Sequence, residues 1–181
     1  MEILLVSISV WETSSAIEDH KRSLKIANEL GNRSGEGTAY GNLGNVHHRK
    51  GDLSSAIPCH ERSLKIAKEL SDPLLQGISH YNLGNCFELL GQVEGAITHY
   101  KLAVSLLNNL RDSLRLNEEW KISLRDQYQT IYAALWRLML AEGKATEALV
   151  SAEHGRAQGL LITLVSLCPV ITLVPSTTVS V

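Results

Sequence analysis

The sequence predicts an all-α protein, a right-handed α-solenoid built from stacked helical hairpins. Three observations predict it. The chain has a forty-residue period, with Ala16-Ile17 recurring as Ala56-Ile57 and again as Ala96-Ile97. Longer blocks recur in phase: Ser23-Leu24-Lys25-Ile26-Ala27 returns as Ser63-Leu64-Lys65-Ile66-Ala67, and Gly41-Asn42-Leu43-Gly44-Asn45 as Tyr81-Asn82-Leu83-Gly84-Asn85. Within each unit, apolar residues fall at helical spacing on both sides of a glycine corner. A unit of this size buries its apolar face only against its neighbours, and stacks of such units present long surfaces to other proteins.

Residues 1–13 open with the apolar run Ile3-Leu4-Leu5-Val6. A signal peptide needs a basic stretch ahead of its apolar run, and here the second residue is Glu2. Counting back forty from Leu43 and Val46 lands on Ile3 and Val6, so a degenerate half-repeat or disordered start is expected. Residues 14–110 form the regular array. In the second unit, 37–50 places Tyr40, Leu43, Val46 and His47 on one stripe. Gly51-Asp52 ends that helix and caps the next, because Gly accepts a left-handed C-terminal residue and Asp accepts N-terminal N–H groups. The helix at 53–70 carries Ala56, Ile57, Leu64, Ala67 and Leu70 at helical spacing. Pro73 then suits the first turn of 73–90, Gly91-Gln92 forms the corner, and 93–110 completes the unit. Small residues repeat as well: Gly44, Ala56 and Ser63 match Gly84, Ala96 and Ala103, which marks where helices cross closely.

Period is lost after Leu110. Residues 111–164 hold the run Leu116 to Tyr128, then a helix pair at 129–141 and 145–161 joined at Glu142-Gly143-Lys144. Leu135 matches Leu83 and Ala148 matches Ala96 at an offset of fifty-two, so a lengthened terminal unit and cap are expected. Residues 165–181 form an apolar tail, expected to be non-helical or disordered. No charged residue follows Arg156, yet 160–174 is shorter than the roughly 20 apolar residues of a membrane helix, contains Pro169 and is rich in β-branched residues. That argues against an anchor. A truncated gene product, whose last residues are foreign to the fold, is the remaining alternative for the tail.

The Leu-Gly pair followed by alanine at this spacing resembles the tetratricopeptide repeat, whose usual unit is about 34 residues. The longer unit, with its Gly-Asn-Leu-Gly-Asn opening and Ser-Leu-Lys-Ile-Ala-Lys-Glu-Leu close, is similar to Pins-type repeats of G-protein-signalling modulators and large animal repeat proteins. The run from Glu119 to Asp126 and the later Ala152 to Leu160 resemble the end of a repeat array that precedes a caspase-like CHAT domain. The resemblance implies a cytoplasmic signalling scaffold whose first helices line a groove. It also implies an alternative, a truncated regulatory arm of a repeat-plus-CHAT protein with no catalysis of its own.

Asn42 and Asn45 lie three apart and share a helix face, and Asn82 and Asn85 repeat them one period on. Such an amide ladder can hold the backbone or carboxylates of an amphipathic helix or acidic peptide, while the competing reading is a structural bridge between units. His48, Arg49 and Glu88 lie one turn further along and offer charge-assisted contacts. These seven residues are the expected partner-binding set.

Other chemistry is not supported by spacing. The net charge of −2 offers no attraction to nucleic acid or anionic lipid. The seven histidines include no ligand-spaced cluster with Cys or acids, so no metal and no cofactor are expected. Gly143-Lys144-Ala145 lacks the first glycine and the hydroxyl residue of a phosphate loop. Cys59, Cys86 and Cys168 show neither disulfide nor zinc spacing, and no nucleophile pairing with histidine, so no enzyme is expected. Asn32-Arg33-Ser34 is formally a glycosylation acceptor, but odd cysteines favour a reduced, cytoplasmic compartment. Terminal units expose apolar surface unless capped, which leaves room for self-association.

Overall fold

The computed structural model describes residues 2–113 and 129–154. Among the described residues there are seven helices and no strand: α1 (Glu2–Glu29), α2 (Arg33–Arg49), α3 (Leu53–Glu69), α4 (Pro73–Leu89), α5 (Val93–Ser113), α6 (Gln129–Ala141) and α7 (Ala145–His154). The chain divides into two compact units, 1–122 and 123–181. In the first, each helix packs on the next, and α2 also meets α4 across the repeat. That is the arrangement of a helical-hairpin solenoid. Of the lengthened unit expected over 111–164, residues 114–128 and 155–164 lie outside the described residues, as does the apolar tail.

The corners explain why the hairpins form. Gly31, Gly51 and Gly91 have φ of +63°, +76° and +71°, a left-handed conformation that glycine adopts without steric cost. Ser71, with φ of 53°, stands at the equivalent corner. At each corner the N–H three residues past the helix end bonds back to a carbonyl five residues earlier, as from Asp52 to His47 and from Gln92 to Phe87. The following helix is capped at once. Asn32, Asp52 and Asp72 accept from the N–H groups of Gly35, Ser55 and Leu75 at 2.9, 3.1 and 3.0 Å. Asn32 of the formal sequon is thus engaged as a cap.

α2 begins at Arg33, four residues before the expected start at 37. Glycines at 35 and 37 suggest a loop, but the Asn32 cap outweighs their low propensity. Gly37 is there for packing: a Cβ would come within 3.0 Å of both Ile66 and Leu75. α1 runs without a break from Glu2, with no turn to separate residues 1–13 from the helix that follows.

The core repeats with the period. Ala56, Ile66 and Ala67 on α3 are fully buried, as are Ala96, Tyr100 and Ala103 on α5, and Leu43 and Val46 of α2 and Leu83 and Cys86 of α4 are buried as well. Leu70 departs from expectation. It is 41% exposed because it lies at the C-cap of α3 rather than on its buried stripe. Across the same ends, Arg33 of α2 pairs with Glu36 and with Glu69 of α3, which accounts for the burial of the Glu36 carboxylate.

In the second unit α6 and α7 form a hairpin of the same kind. Gly143 supplies the corner at φ +73°, and Lys144 N–H bonds back to Met139 O at 2.9 Å. Leu135 and Ala148 are buried there with Ile131, Tyr132 and Met139.

Candidate functional site

The face shared by α2 and α4 carries a cavity of about 250 Å³. Thr38, Asn42 and Asn45 line it from α2, and Leu74, Ile78 and Asn82 from α4. At its base, Ser79 of α4 donates to Ser63 of α3 at 3.1 Å, a buried bond between units made possible by two small residues. These positions are set by the helix period: 38, 42 and 45 fall on one stripe, as do 74, 78 and 82. Asn42 is half-buried, Asn45 exposed and Asn82 buried, and none has a hydrogen-bond partner among the described residues. Among the described residues that line the cavity, Asp72 alone is charged, and its carboxylate already caps α4.

The expected partner-binding residues therefore separate into two groups. Asn42, Asn45 and Asn82 come together at the cavity, whereas Asn85, His48, Arg49 and Glu88 do not line it. Asn85 and Glu88 are held elsewhere. The hydroxyl of Tyr100 lies 2.6 Å from Asn85 Oδ1 and 2.9 Å from Glu88 Oε2, while its ring fills the space over Gly84. One buried phenol thus ties α5 to two successive positions of α4. Asn85 is tied within its own hairpin, which is a structural contact but not the bridge between units that was the competing reading. In the preceding hairpin the same places hold His60, Asn45 and His48, and His60 lies over Gly44 as Tyr100 lies over Gly84. An imidazole is shorter than a phenol and carries no hydroxyl. Both ring nitrogens of His60 and Nε2 of His48 are sealed from solvent without a partner, and Asn45 stays untethered. Arg49 is exposed at the end of α2.

Electrostatics adds little reactive character. Burial pulls His60 down to about 4, with the neighbouring His48 acting the same way, so its ring is neutral near pH 7. Burial also pushes the Cys86 thiol up to about 11, the opposite of an activated nucleophile. His47, expected on the buried stripe, is half-buried and bonds Asp52 at 3.1 Å. Tyr40 is half-buried too, with the Arg62 guanidinium 5.9 Å from its ring centre. Among the described residues no helix is long and apolar enough to cross a membrane. Cys168 and the run from Glu119 to Asp126 lie outside the described residues.

The sequence reading missed the Tyr100 tether, although its signal is present. The period aligns Tyr100 with His60, and a polar aromatic at a buried helical position needs a partner.

Comparison with known proteins bears on these features. A family model for the tetratricopeptide repeat matches residues 14–69 and 38–109, together more than half of the chain. No match was found among curated proteins. Among solved structures, the crystal structure of BtubC (BKLC) from P. vanneervenii is similar, with a TM-score of 0.65 and 16% sequence identity. The likeness covers 94% of this chain and 63% of that one, so this chain spans less than two thirds of its length. At that identity the likeness is one of fold.

Proposed function

This chain belongs to the tetratricopeptide repeat family, and from that membership we propose that it binds an extended segment of a partner protein on the face shared by α2 and α4. Repeats of this family are protein-interaction scaffolds rather than catalysts. The observation that carries the finer reading is the set of three untethered amides, Asn42, Asn45 and Asn82, around one cavity. An amide offers both donor and acceptor, so it can pair with either group of a partner's backbone. Leu74 and Ile78 supply the apolar wall for a side chain between those contacts.

The lining also selects the partner. It contains no Lys or Arg, so a neutral, partly apolar segment suits it better than the acidic peptide first considered. A cytoplasmic signalling role of the Pins type rests on the sequence resemblance alone.

Peptides selected against the full chain, then titrated calorimetrically, test this reading. Asn42→Ala with Asn82→Ala is expected to weaken the best binder about tenfold, since each lost hydrogen bond is worth about 0.5–1.5 kcal/mol. Unchanged affinity in that double variant would remove the site.

A second reading, the regulatory arm of a repeat-plus-CHAT protein, is supported by the run from Glu119 to Asp126 and by that from Ala152 to Leu160. An open reading frame encoding a caspase-like domain beyond Val181 would establish it, and a stop codon in the native transcript would dispose of it.

A further inference from the structure

The third hairpin brings together two histidines that lie nineteen residues apart in sequence. His80 of α4 and His99 of α5 face each other with their Nδ1 atoms 3.0 Å apart. Their ring centres are 5.2 Å apart and the planes are tilted by 42°. His80 is buried, and His99 is half-buried with its ring stacked on Phe87 at 5.1 Å. Both rings are therefore packed where α4 meets α5. A shared hydrogen bond explains the approach only if the two rings keep opposite tautomers, one donating and one accepting.

Another ligand fits the same geometry. A tetrahedral cation with nitrogen ligands at 2.0–2.1 Å spans about 3.3 Å between adjacent nitrogens, so the pair needs to open by only about 0.3 Å. We propose that His80 and His99 form a two-imidazole clasp for a divalent transition-metal cation of the zinc class, bound through the two Nδ1 atoms between α4 and α5. The ring that donates in the hydrogen bond moves its proton from Nδ1 to Nε2, the accepting ring already carries its proton on Nε2, and both Nδ1 lone pairs turn to the metal without a proton leaving the protein. Imidazole selects Zn²⁺, Co²⁺, Ni²⁺ or Cu²⁺ over Mg²⁺ or Ca²⁺. No third His, Cys, Asp or Glu completes a cluster among the described residues, so water fills the other positions.

Charge around the pair works in both directions. Burial, with Lys68 of α3 acting the same way, lowers the proton affinity of both rings, which keeps their nitrogens available near neutral pH. Lys68 also opposes a bound cation, while Glu61 of α3 favours positive charge at His99. Lys68 is exposed and free to swing into solvent. Sequence spacing conceals the site, because ligand motifs on one helix need residues three or four apart, and these two are joined only by the hairpin.

The test is thermal unfolding of the full chain in EDTA and then in excess ZnCl₂, with the visible absorption of added CoCl₂ as a second readout. Zn²⁺ is expected to raise the midpoint by several degrees, and Co²⁺ to give the d–d bands of imidazole ligation. His99→Gln, at the half-buried member, should fold and lose both responses. His60→Tyr should keep both, because that ring belongs to the preceding hairpin. No response in the unaltered chain, or a response that survives His99→Gln, would overturn the proposal and leave only the hydrogen bond.

Discussion

Tyr100 and His60 occupy the same place in consecutive hairpins, and the difference between them decides which asparagine is available. Tyr100 spends its hydroxyl on Asn85 and Glu88, whereas His60 makes no hydrogen bond and leaves Asn45 at the cavity. His60 also makes the fold sensitive to acid. Its imidazole is pulled from an ordinary 6.5 to about 4, so as pH falls the unfolded chain takes up the proton first. The contribution of His60 is full above pH 6.5, declines between 6.5 and about 4, and is level below that, a loss on the order of 3 kcal/mol. His80, also at about 4 through burial, acts over the same window. Urea unfolding at stepped pH should show this decline, and His60→Tyr should flatten part of it. An unchanged slope in that variant would mean the ring is not a buried neutral group. The one-dimensional pattern carries only part of this: the period aligns 60 with 100, but only the hairpin shows what each ring meets.

At the scale of the helix, the close crossings carry the stability. Gly44→Ala and Gly84→Ala raise helix propensity, yet each added Cβ would meet a ring at 2.5–2.6 Å, so both should cost about 1–3 kcal/mol net in chemical denaturation. Ala56→Leu and Ala96→Leu, at fully buried positions, should cost a similar amount. Unchanged midpoints would contradict the register. The corner at Ser71 offers the opposite effect. It holds a left-handed conformation that glycine takes freely at the other four corners, so Ser71→Gly should stabilise by about 1 kcal/mol. Gly51, Gly91 and Gly143 are legible as corners because a Gly at the end of an apolar helical stripe is a strong stop signal. Ser71 was not, since serine has no such preference and neighbouring contacts impose the conformation. The start of α2 was misjudged for a related reason: Gly35 and Gly37 weaken the local signal, while Asn32 and the packing of Gly37 decide it.

For the whole molecule, the forty-residue period carried the all-α class and the stacking of hairpins, because each unit's apolar face has only its neighbours to meet. It also placed Asn42, Asn45 and Asn82 on comparable faces. It did not separate them from Asn85, Glu88 and His48, which depends on contacts between helices. A cavity whose one charged lining residue among those described is already a helix cap has a consequence for binding. With Asp72 as its only charged lining residue and a net charge of −2, partner affinity should change little, by less than about threefold, between 50 mM and 500 mM salt. A steep fall would point instead to ion pairs at Arg49 or the exposed lysines.

The central claim is that the three untethered amides contact the partner and the tethered one does not. ¹H–¹⁵N correlation spectra of the asparagine side chains, recorded as a selected peptide is titrated in, test it most directly. The account predicts that the Asn42, Asn45 and Asn82 signals move together and saturate at the calorimetric affinity, while Asn85, bonded to Tyr100, stays in place. Movement of Asn85 with the other three silent would contradict it.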